Sequence, residues 1–187
     1  MTSAAPVALS APAAELVVLL DADGAPSGTA DKLEVHTDAT PLHLAFSLHL
    51  LDDEGRMLVT RRALGKRAWP GVWTNACCGH PAPGEPIERA VHRRVRQELG
   101  AAVTGLELLL PDFRYRAVDA GGVVEHELCP VYVGRLDGTL QPEPSETIEW
   151  QWVEPAQLLA AIRATPFAFS PWLVLQAERL PMLGGAA

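Results

Sequence analysis

The sequence predicts one α+β domain, in which mostly antiparallel strands are covered by a few helices. Three observations support this fold class. Apolar and polar residues alternate over residues 42–50, as they do on a strand. Over residues 86–99 the apolar spacing changes to that of a helix, and turn signals at residues 52–55 and 119–122 indicate two hairpins.

The first elements are strands joined by a turn rich in Asp and Gly. Residues 15–20 form a short apolar strand that closes at the turn over residues 21–24. The next predicted strand, residues 42–50, has two distinct faces. One face carries Leu42, Leu44, Phe46, Leu48 and Leu50, and the other carries His43, Ala45, Ser47 and His49. His43 is therefore expected to point away from the leucine stripe, and residues 57–60 return the chain as a hairpin.

The helix predicted over residues 86–99 has an apolar stripe and a stop signal at Gly100. Arg94 and Glu98 lie four residues apart on it and should be neighbours. The later predicted elements are strands over residues 113–118, 123–133 and 148–153 and helices over residues 155–164 and 171–180.

The predicted domain covers residues 15–181 of the 187-residue chain. Residues 1–14 are rich in Ala, Pro and Ser and carry no Lys or Arg, so they are expected to be a disordered tail rather than a targeting signal. Residues 182–187 are expected to be a flexible C-terminus.

The composition excludes several classes of partner. A net charge of -8 argues against nucleic acid and anionic membranes as partners, and no apolar run is long enough to cross a bilayer. Three cysteines, two of them adjacent, predict no disulfide framework, so we expect a cytoplasmic protein in a reducing compartment. Oligomeric state cannot be inferred from the sequence.

A thiol and an imidazole lie two residues apart at Cys78 and His80. In extended backbone they face the same side, where a cation held by His80 would sit close to the thiol. A buried small cysteine beside a surface histidine explains the pair equally well.

Three other patterns are ambiguous by themselves. Glu125 and Glu127 project from one face of a strand, which fits a cation site but is more often a solvated edge strand. His36 and His43 flank a loop that enters a strand, and only a specific fold would bring them to one ion. The basic segment 60–67 is either a charged surface or the seat of one compact phosphorylated ligand.

Part of the Nudix box, G-x5-E-x7-R-E-U-x-E-E-x-G-U, occurs from residue 79 to residue 100. Its matching positions are Gly79, Glu85, Arg93, Glu98 and Gly100. Arg94 and Gln97 replace two helical glutamates, so a hydrolase that binds several magnesium ions there would lose most of its carboxylates. The fold can persist without hydrolysis.

The sequence resembles the type 1 isopentenyl diphosphate isomerases over residues 15–181. The matching strings lie at residues 42–47, 67–75, 78–81, 111–116 and 168–172. The resemblance implies a Nudix-like single domain, with mixed, mostly antiparallel sheets sandwiched by helices. It also implies an enzyme of isoprenoid biosynthesis that interconverts isopentenyl and dimethylallyl diphosphate through a tertiary carbocation.

The resemblance further implies the site residues. A divalent ion would be held by His36, His43, His80, Glu125 and Glu127. The catalytic residues would be Cys78, Glu127, Tyr115 and Trp172. A magnesium ion on the substrate diphosphate would bind Glu98, beside the diphosphate-binding residues Lys32, Arg62, Lys66 and Arg94. The family implies manganese or magnesium at the first site, whereas intrinsic affinity alone favours zinc.

Two other functions compete with this one. A Nudix pyrophosphohydrolase is supported only by the imperfect box. A silent ligand-binding module would need neither the thiol of Cys78 nor the indole of Trp172, which stand here together with Tyr115 and Glu127.

Overall fold

The computed structural model describes residues 15–184, so the tail predicted over residues 1–14 lies outside the described residues. The strands are β1 (Leu16–Leu20), β2 (Pro26–Asp31), β3 (His43–Leu44), β4 (Phe46–Leu51), β5 (Met57–Arg62), β6 (Trp73–Thr74), β7 (Cys77–Gly79), β8 (Ala102–Leu110), β9 (Arg114–Val118), β10 (Val124–Leu128), β11 (Val131–Asp137) and β12 (Thr147–Val153). The helices are α1 (Lys32–Val35), α2 (Ile87–Leu99), α3 (Pro155–Ala164) and α4 (Pro171–Ala177), with 3-10 turns at Pro166–Ala168 and Pro181–Leu183.

The strands form two sheets. One has five strands in the order β2-β1-β3-β10-β9, and the other runs β12-β5-β4-β11-β8, with β6 and β7 paired to β5 and β4. Only the β3/β10 and β4/β11 pairs are parallel among the described strands. This mixed, mostly antiparallel arrangement with helices confirms the predicted α+β fold class.

The strand predicted over residues 42–50 is two strands, because the chain passes from one sheet to the other at Ala45. The strand predicted over residues 123–133 divides in the same way at residues 129–130. The two crossings lie side by side, since Ala45 N–H donates to Leu128 O (2.9 Å) and Ser47 N–H donates to Pro130 O (3.0 Å). A regular period of two cannot reveal such a crossing, because the side chains continue to alternate through it.

Helices cover both faces of β4. Phe46, Leu48 and Leu50 belong to a buried cluster with Val91 and Val95 of α2. On the opposite face, Ser47 and His49 contact the side chain of Gln176 in α4. The two faces predicted from alternation are therefore correct for β4, and burial of its apolar face anchors α2.

Helix α2 ends as predicted at Gly100, whose φ of 63° is left-handed. A second glycine, Gly79 in β7, controls how closely this helix approaches the sheet. A Cβ at residue 79 would lie 2.9 Å from Arg94 Cγ and 3.1 Å from Phe46 Cε1. Glycine at this position therefore lets Arg94 lie directly against the strand that carries Cys78.

Several boundaries differ from the prediction. Strand β2 was not predicted because its sequence, PSGTAD, is typical of a turn, and pairing with β1 holds it extended. Strand β8 was missed because its sequence, AVTGLELLL, does not alternate regularly between apolar and polar residues. Helix α4 ends at Ala177, and packed structure continues past residue 181, since Leu183 is buried. No helix between residues 15 and 184 has the length and apolar character needed to cross a membrane.

Candidate active site

A cavity of about 330 Å³ collects the residues that the sequence indicated from distant segments. Its lining includes the four predicted catalytic residues, Cys78, Tyr115, Glu127 and Trp172. The predicted diphosphate-binding residues Lys32, Arg62, Lys66 and Arg94 line the same cavity. Arg67 is a fifth cationic residue of the lining. The fold therefore brings a thiol, a carboxylate, an indole and five cationic side chains to one space.

Three histidines and one glutamate meet beside this cavity. One ligand atom from each of His36, His43, His80 and Glu127 lies within 4.8 Å of the others. The β3/β10 register sets Glu127 beside His43. The crossing at Ala45, which divided the predicted strand, therefore also helps to build this cluster. Such a group of nitrogen and oxygen atoms could hold a metal ion.

Two ring nitrogens of the cluster are unpaired in the described part of the chain and are suited to bind a cation. His36 Nε2 and His43 Nε2 are buried and have no hydrogen-bond partner in the described structure. Their other ring nitrogens face backbone carbonyls, with His36 Nδ1 at 3.3 Å from Lys32 O and His43 Nδ1 at 3.0 Å from Pro41 O. These carbonyls favour a proton on Nδ1 and leave the Nε2 lone pair for a metal.

Glu127 is the carboxylate shared by the cluster and the cavity. Its Oε1 lies 3.2 Å from His80 Nε2 and 3.5 Å from His43 Nε2, and Tyr115 donates its hydroxyl to Oε2 over 2.8 Å. Burial raises the pKa of Glu127, but the contacts with His43 and His80 outweigh it and hold the pKa well below its usual range. Burial raises the pKa of Tyr115 well above its usual range, so its hydroxyl keeps its proton.

Two further carboxylates differ in their relation to the cluster. Glu125 Oε2 lies 3.2 Å from His36 Nε2, which places Glu125 at the edge of the cluster. Burial and the nearby charge of Glu127 raise the pKa of Glu125. Glu98 stands outside the four-residue cluster and instead accepts a hydrogen bond from Arg94 Nε over 2.7 Å.

Cys78 lies in strand β7 and His80 follows the strand, and both side chains line the cavity, as expected from a period of two. Its neighbour Cys77 is buried in the cluster beneath α2. Burial raises the pKa of Cys78 to about 12, so at neutral pH the group carries its proton. It is therefore a thiol that can act as an acid.

Trp172 forms the aromatic part of the cavity. Its Nε1–H donates to Asn75 Oδ1 over 3.0 Å, and its ring lies 5.8 Å from the ring of Tyr115 and 5.7 Å from that of Trp69. Arg62 Cζ sits 5.3 Å from the indole centroid, within cation–π range. The indole is held on several sides and is 3% exposed.

Each of the four cationic side chains predicted to bind the diphosphate is held by an oxygen partner. Arg62 donates from Nη2 to Ala68 O (2.8 Å) and from Nε to Trp69 O (3.1 Å). Lys66 contacts Glu146, and Arg94 Nη2 lies 3.4 Å from Glu146 Oε1. Lys32 Nζ lies 2.5 Å from Glu15 Oε2.

The remaining Nudix-box residues serve the loop that carries His80. Arg93 donates to Glu85 from Nε (2.9 Å) and from Nη2 (2.7 Å). The same Nη2 donates to His80 O over 3.2 Å. The spacing of Glu85 and Arg93 therefore reflects a clamp on the backbone of a candidate metal ligand.

Sequence reasoning missed three polar residues of this region. Glu146 lies in a loop with no recognisable pattern, so nothing in the sequence could have found it. Ser47 was placed on the correct strand face but not in the site. Asn75 is the only asparagine in the chain and lies three residues before Cys78, which was a usable signal.

Comparisons with known proteins agree with this geometry. A family model described as the NUDIX domain matches residues 41–173. An isopentenyl-diphosphate Delta-isomerase from Agromyces mediolanus is 61% identical over 184 residues, which cover 98% of this chain and 89% of the relative. Another, from Leifsonia xyli subsp. xyli, is 61% identical over 178 residues, covering 94% of this chain and 95% of the relative.

Solved structures give the same fold. The crystal structure of a protein from Deinococcus radiodurans matches with a TM-score of 0.69 at 20% sequence identity. The match covers 88% of this chain and 98% of that chain. At this level of identity the likeness concerns the fold alone.

Proposed function

The chain belongs to the isopentenyl-diphosphate Delta-isomerase family of the Nudix superfamily, and we propose that it interconverts isopentenyl and dimethylallyl diphosphate. The observation that carries the proposal is that Cys78 and Glu127 line one cavity with five cationic side chains. A proton donor and a proton acceptor thus share a space with the groups that can hold a diphosphate.

The reaction moves a double bond by adding one proton and removing another. In one direction a side chain gives its proton to the terminal alkene carbon, and the adjacent carbon becomes a tertiary cation. The second side chain then removes a proton from the next carbon, and the electrons of that C–H bond form the new double bond. Cys78 and Glu127 take these two roles, which exchange in the reverse direction.

The cation must survive without being trapped by water. Trp172 is buried and its indole face is a neutral, electron-rich surface that adds no nucleophile. A cation desolvated over an indole is stabilised by about 2 kcal/mol. Tyr115 holds Glu127 through its hydroxyl and keeps the carboxylate oriented towards the reacting carbon.

A divalent ion would be held by His36, His43, His80, Glu125 and Glu127, and we propose manganese or magnesium, although affinity alone favours zinc. When bound, the ion would balance the charge of these carboxylates without redox chemistry. Glu127 would be fixed in orientation by the histidines that contact it. A magnesium ion would accompany the substrate diphosphate at Glu98.

The diphosphate serves as a handle and stays intact. Arg94 and Gln97 stand where a pyrophosphohydrolase keeps glutamates. Of the glutamate positions that the Nudix box places on helix α2, only Glu98 still carries a carboxylate. Lys32, Arg62, Lys66 and Arg94 supply positive charge for binding. This distribution favours isomerisation over hydrolysis.

The proposal is tested by incubating the purified protein with isopentenyl diphosphate and a divalent metal. We expect dimethylallyl diphosphate to form and no pyrophosphate or phosphate to be released. A chelator should stop the reaction, and restored metal should recover it. Release of pyrophosphate at a catalytic rate would show that the protein is a hydrolase instead.

Lys66 gives a pH-dependent prediction. Burial lowers its pKa to about 8, and the charges of Arg62 and Arg94 act in the same direction. The ammonium is fully present below this pKa and is lost as pH rises through it. We therefore expect kcat/KM to fall above about pH 8, because this ratio reports ionisations of the free enzyme.

Lys66→Arg is the matched variant, since arginine keeps its charge throughout this range. Its kcat/KM should stay flat where that of the wild type falls. An identical alkaline fall in both proteins would exclude Lys66 as the titrating group.

We propose that the protein acts on a small isoprenoid diphosphate and that neither nucleic acid nor a membrane is a partner. All three cysteines are free thiols, which supports a reducing compartment, and we propose the cytoplasm.

A further inference from the structure

Two buried side chains place hydrogen-bond donors against the sulfur of Cys78. Asn75 Nδ2 donates to Cys78 Sγ over 3.3 Å, and Ser47 Oγ lies 3.5 Å from the same atom. Asn75 is 1% exposed and Ser47 is fully buried. The β4/β7 register sets Ser47 directly opposite Cys78, so the sheet itself fixes this hydroxyl beside the sulfur.

The amide of Asn75 is locked in one orientation. Its Oδ1 accepts from Trp172 Nε1 and from Thr74 Oγ1, each over 3.0 Å, and the thiol of Cys78 donates to the same oxygen over 3.4 Å. Its Nδ2 donates to the backbone carbonyls of Leu48 (2.9 Å) and Cys77 (3.0 Å), so the sulfur is a weaker third contact of the NH₂ group. Turning the amide over would place its oxygen against these carbonyls and its NH₂ group against the indole N–H, so one orientation is strongly preferred.

The hydroxyl of Ser47 can turn from its present acceptor, Gln176, to the sulfur without leaving that acceptor unpaired. Ser47 Oγ donates to Gln176 Oε1 over 3.2 Å, and His49 Nε2 lies 2.9 Å from the same oxygen. When the hydroxyl turns towards the sulfur, Gln176 Oε1 keeps its hydrogen bond from His49. Burial lowers the pKa of His49 to about 4, so the ring is neutral and adds no charge beside the thiol.

We propose that Ser47 donates a hydrogen bond to the thiolate of Cys78 and is a catalytic residue of the isomerisation. The proposal rests on the proposed function. When Cys78 donates, the S–H bond breaks, the proton forms a C–H bond with the alkene carbon, and the electron pair stays on sulfur. When Cys78 accepts, the same atoms move in reverse, so sulfur is negative on one side of the proton transfer in either direction.

Donors that are already in place stabilise such a charge without reorganising during the reaction. Asn75 also holds Trp172, so one amide fixes the acid–base sulfur and the cation-stabilising indole relative to each other.

The test compares Ser47→Val with Ser47→Thr. The two side chains have nearly the same shape, and only threonine retains the hydroxyl, so any packing error affects both. We expect kcat of Ser47→Val to be about tenfold or more below that of Ser47→Thr, because removal of one such donor costs about 10²–10³ at an oxyanion. The KM for isopentenyl diphosphate should be equal in the two variants, because the diphosphate contacts are unchanged.

Circular dichroism and the melting temperature of both Ser47 variants check that they fold. Tyr132→Phe is the control, because it removes a partly buried hydroxyl that donates to Glu88 in α2. Its kcat should match the wild type.

Equal kcat in Ser47→Val and Ser47→Thr would overturn the role of the Ser47 hydroxyl as a donor to the thiolate. A wild-type protein that does not isomerise the substrate would instead overturn the proposed function, so the two failures are distinguishable.

Discussion

Replacing Cys78 by alanine is expected to abolish isomerisation. The thiol is one of the two groups that exchange protons with the substrate, and alanine offers neither a proton nor a base. Loss of one general acid or base costs about 10²–10⁴ in rate, and here the same group is needed for each direction. Conversion of isopentenyl to dimethylallyl diphosphate by the purified variant measures the loss.

Cys77→Ala is the matched control for this experiment. Cys77 adjoins Cys78 in β7, yet its side chain packs into the cluster beneath α2. The variant should keep most of the activity, because it loses only a small buried contact. If Cys77→Ala were inactive and Cys78→Ala active, the thiol would have been assigned to the wrong residue.

Glu127→Gln should also abolish isomerisation, for two reasons. The amide cannot exchange the proton, and the candidate metal cluster loses its only carboxylate among His36, His43, His80 and Glu127. Glutamine keeps the shape of the side chain and can still accept the hydroxyl of Tyr115, so the fold should survive. The rate and the bound metal content of the purified variant are the two measurements.

Glu125→Gln separates the loss of proton exchange from the loss of metal binding. Glu125 contacts the cluster through His36 and takes no part in the proposed proton transfer. This variant should bind metal more weakly and recover activity when metal is added in excess, whereas Glu127→Gln should stay inactive. Recovery of Glu127→Gln by excess metal would show that Glu127 is a ligand and not the acid–base group.

Local patterns predicted the parts of the site that depend on a single strand or helix. A period of two correctly placed Cys78 and His80 on one face, and helical spacing made Arg94 and Glu98 neighbours. The assembly of the metal cluster was accessible only through family resemblance. His36, His43, His80 and Glu127 come from four segments, and no spacing rule states that these segments meet.

The crossing of the chain between the two sheets is the main feature that the sequence concealed. Ala45 continues the alternation of residues 42–50, although the strands on its two sides belong to different sheets. The donors around Cys78 were hidden for the same reason. Ser47 reaches the sulfur only because β7 pairs with β4, and this pairing is a long-range contact.

The central claim is that the protein itself delivers one proton to the substrate and removes another. The most direct measurement is the conversion of isopentenyl diphosphate in D₂O, followed by NMR of the product. We expect deuterium on the carbon that becomes the new methyl group of dimethylallyl diphosphate, with the diphosphate intact. Product formed without deuterium at that carbon would contradict the account.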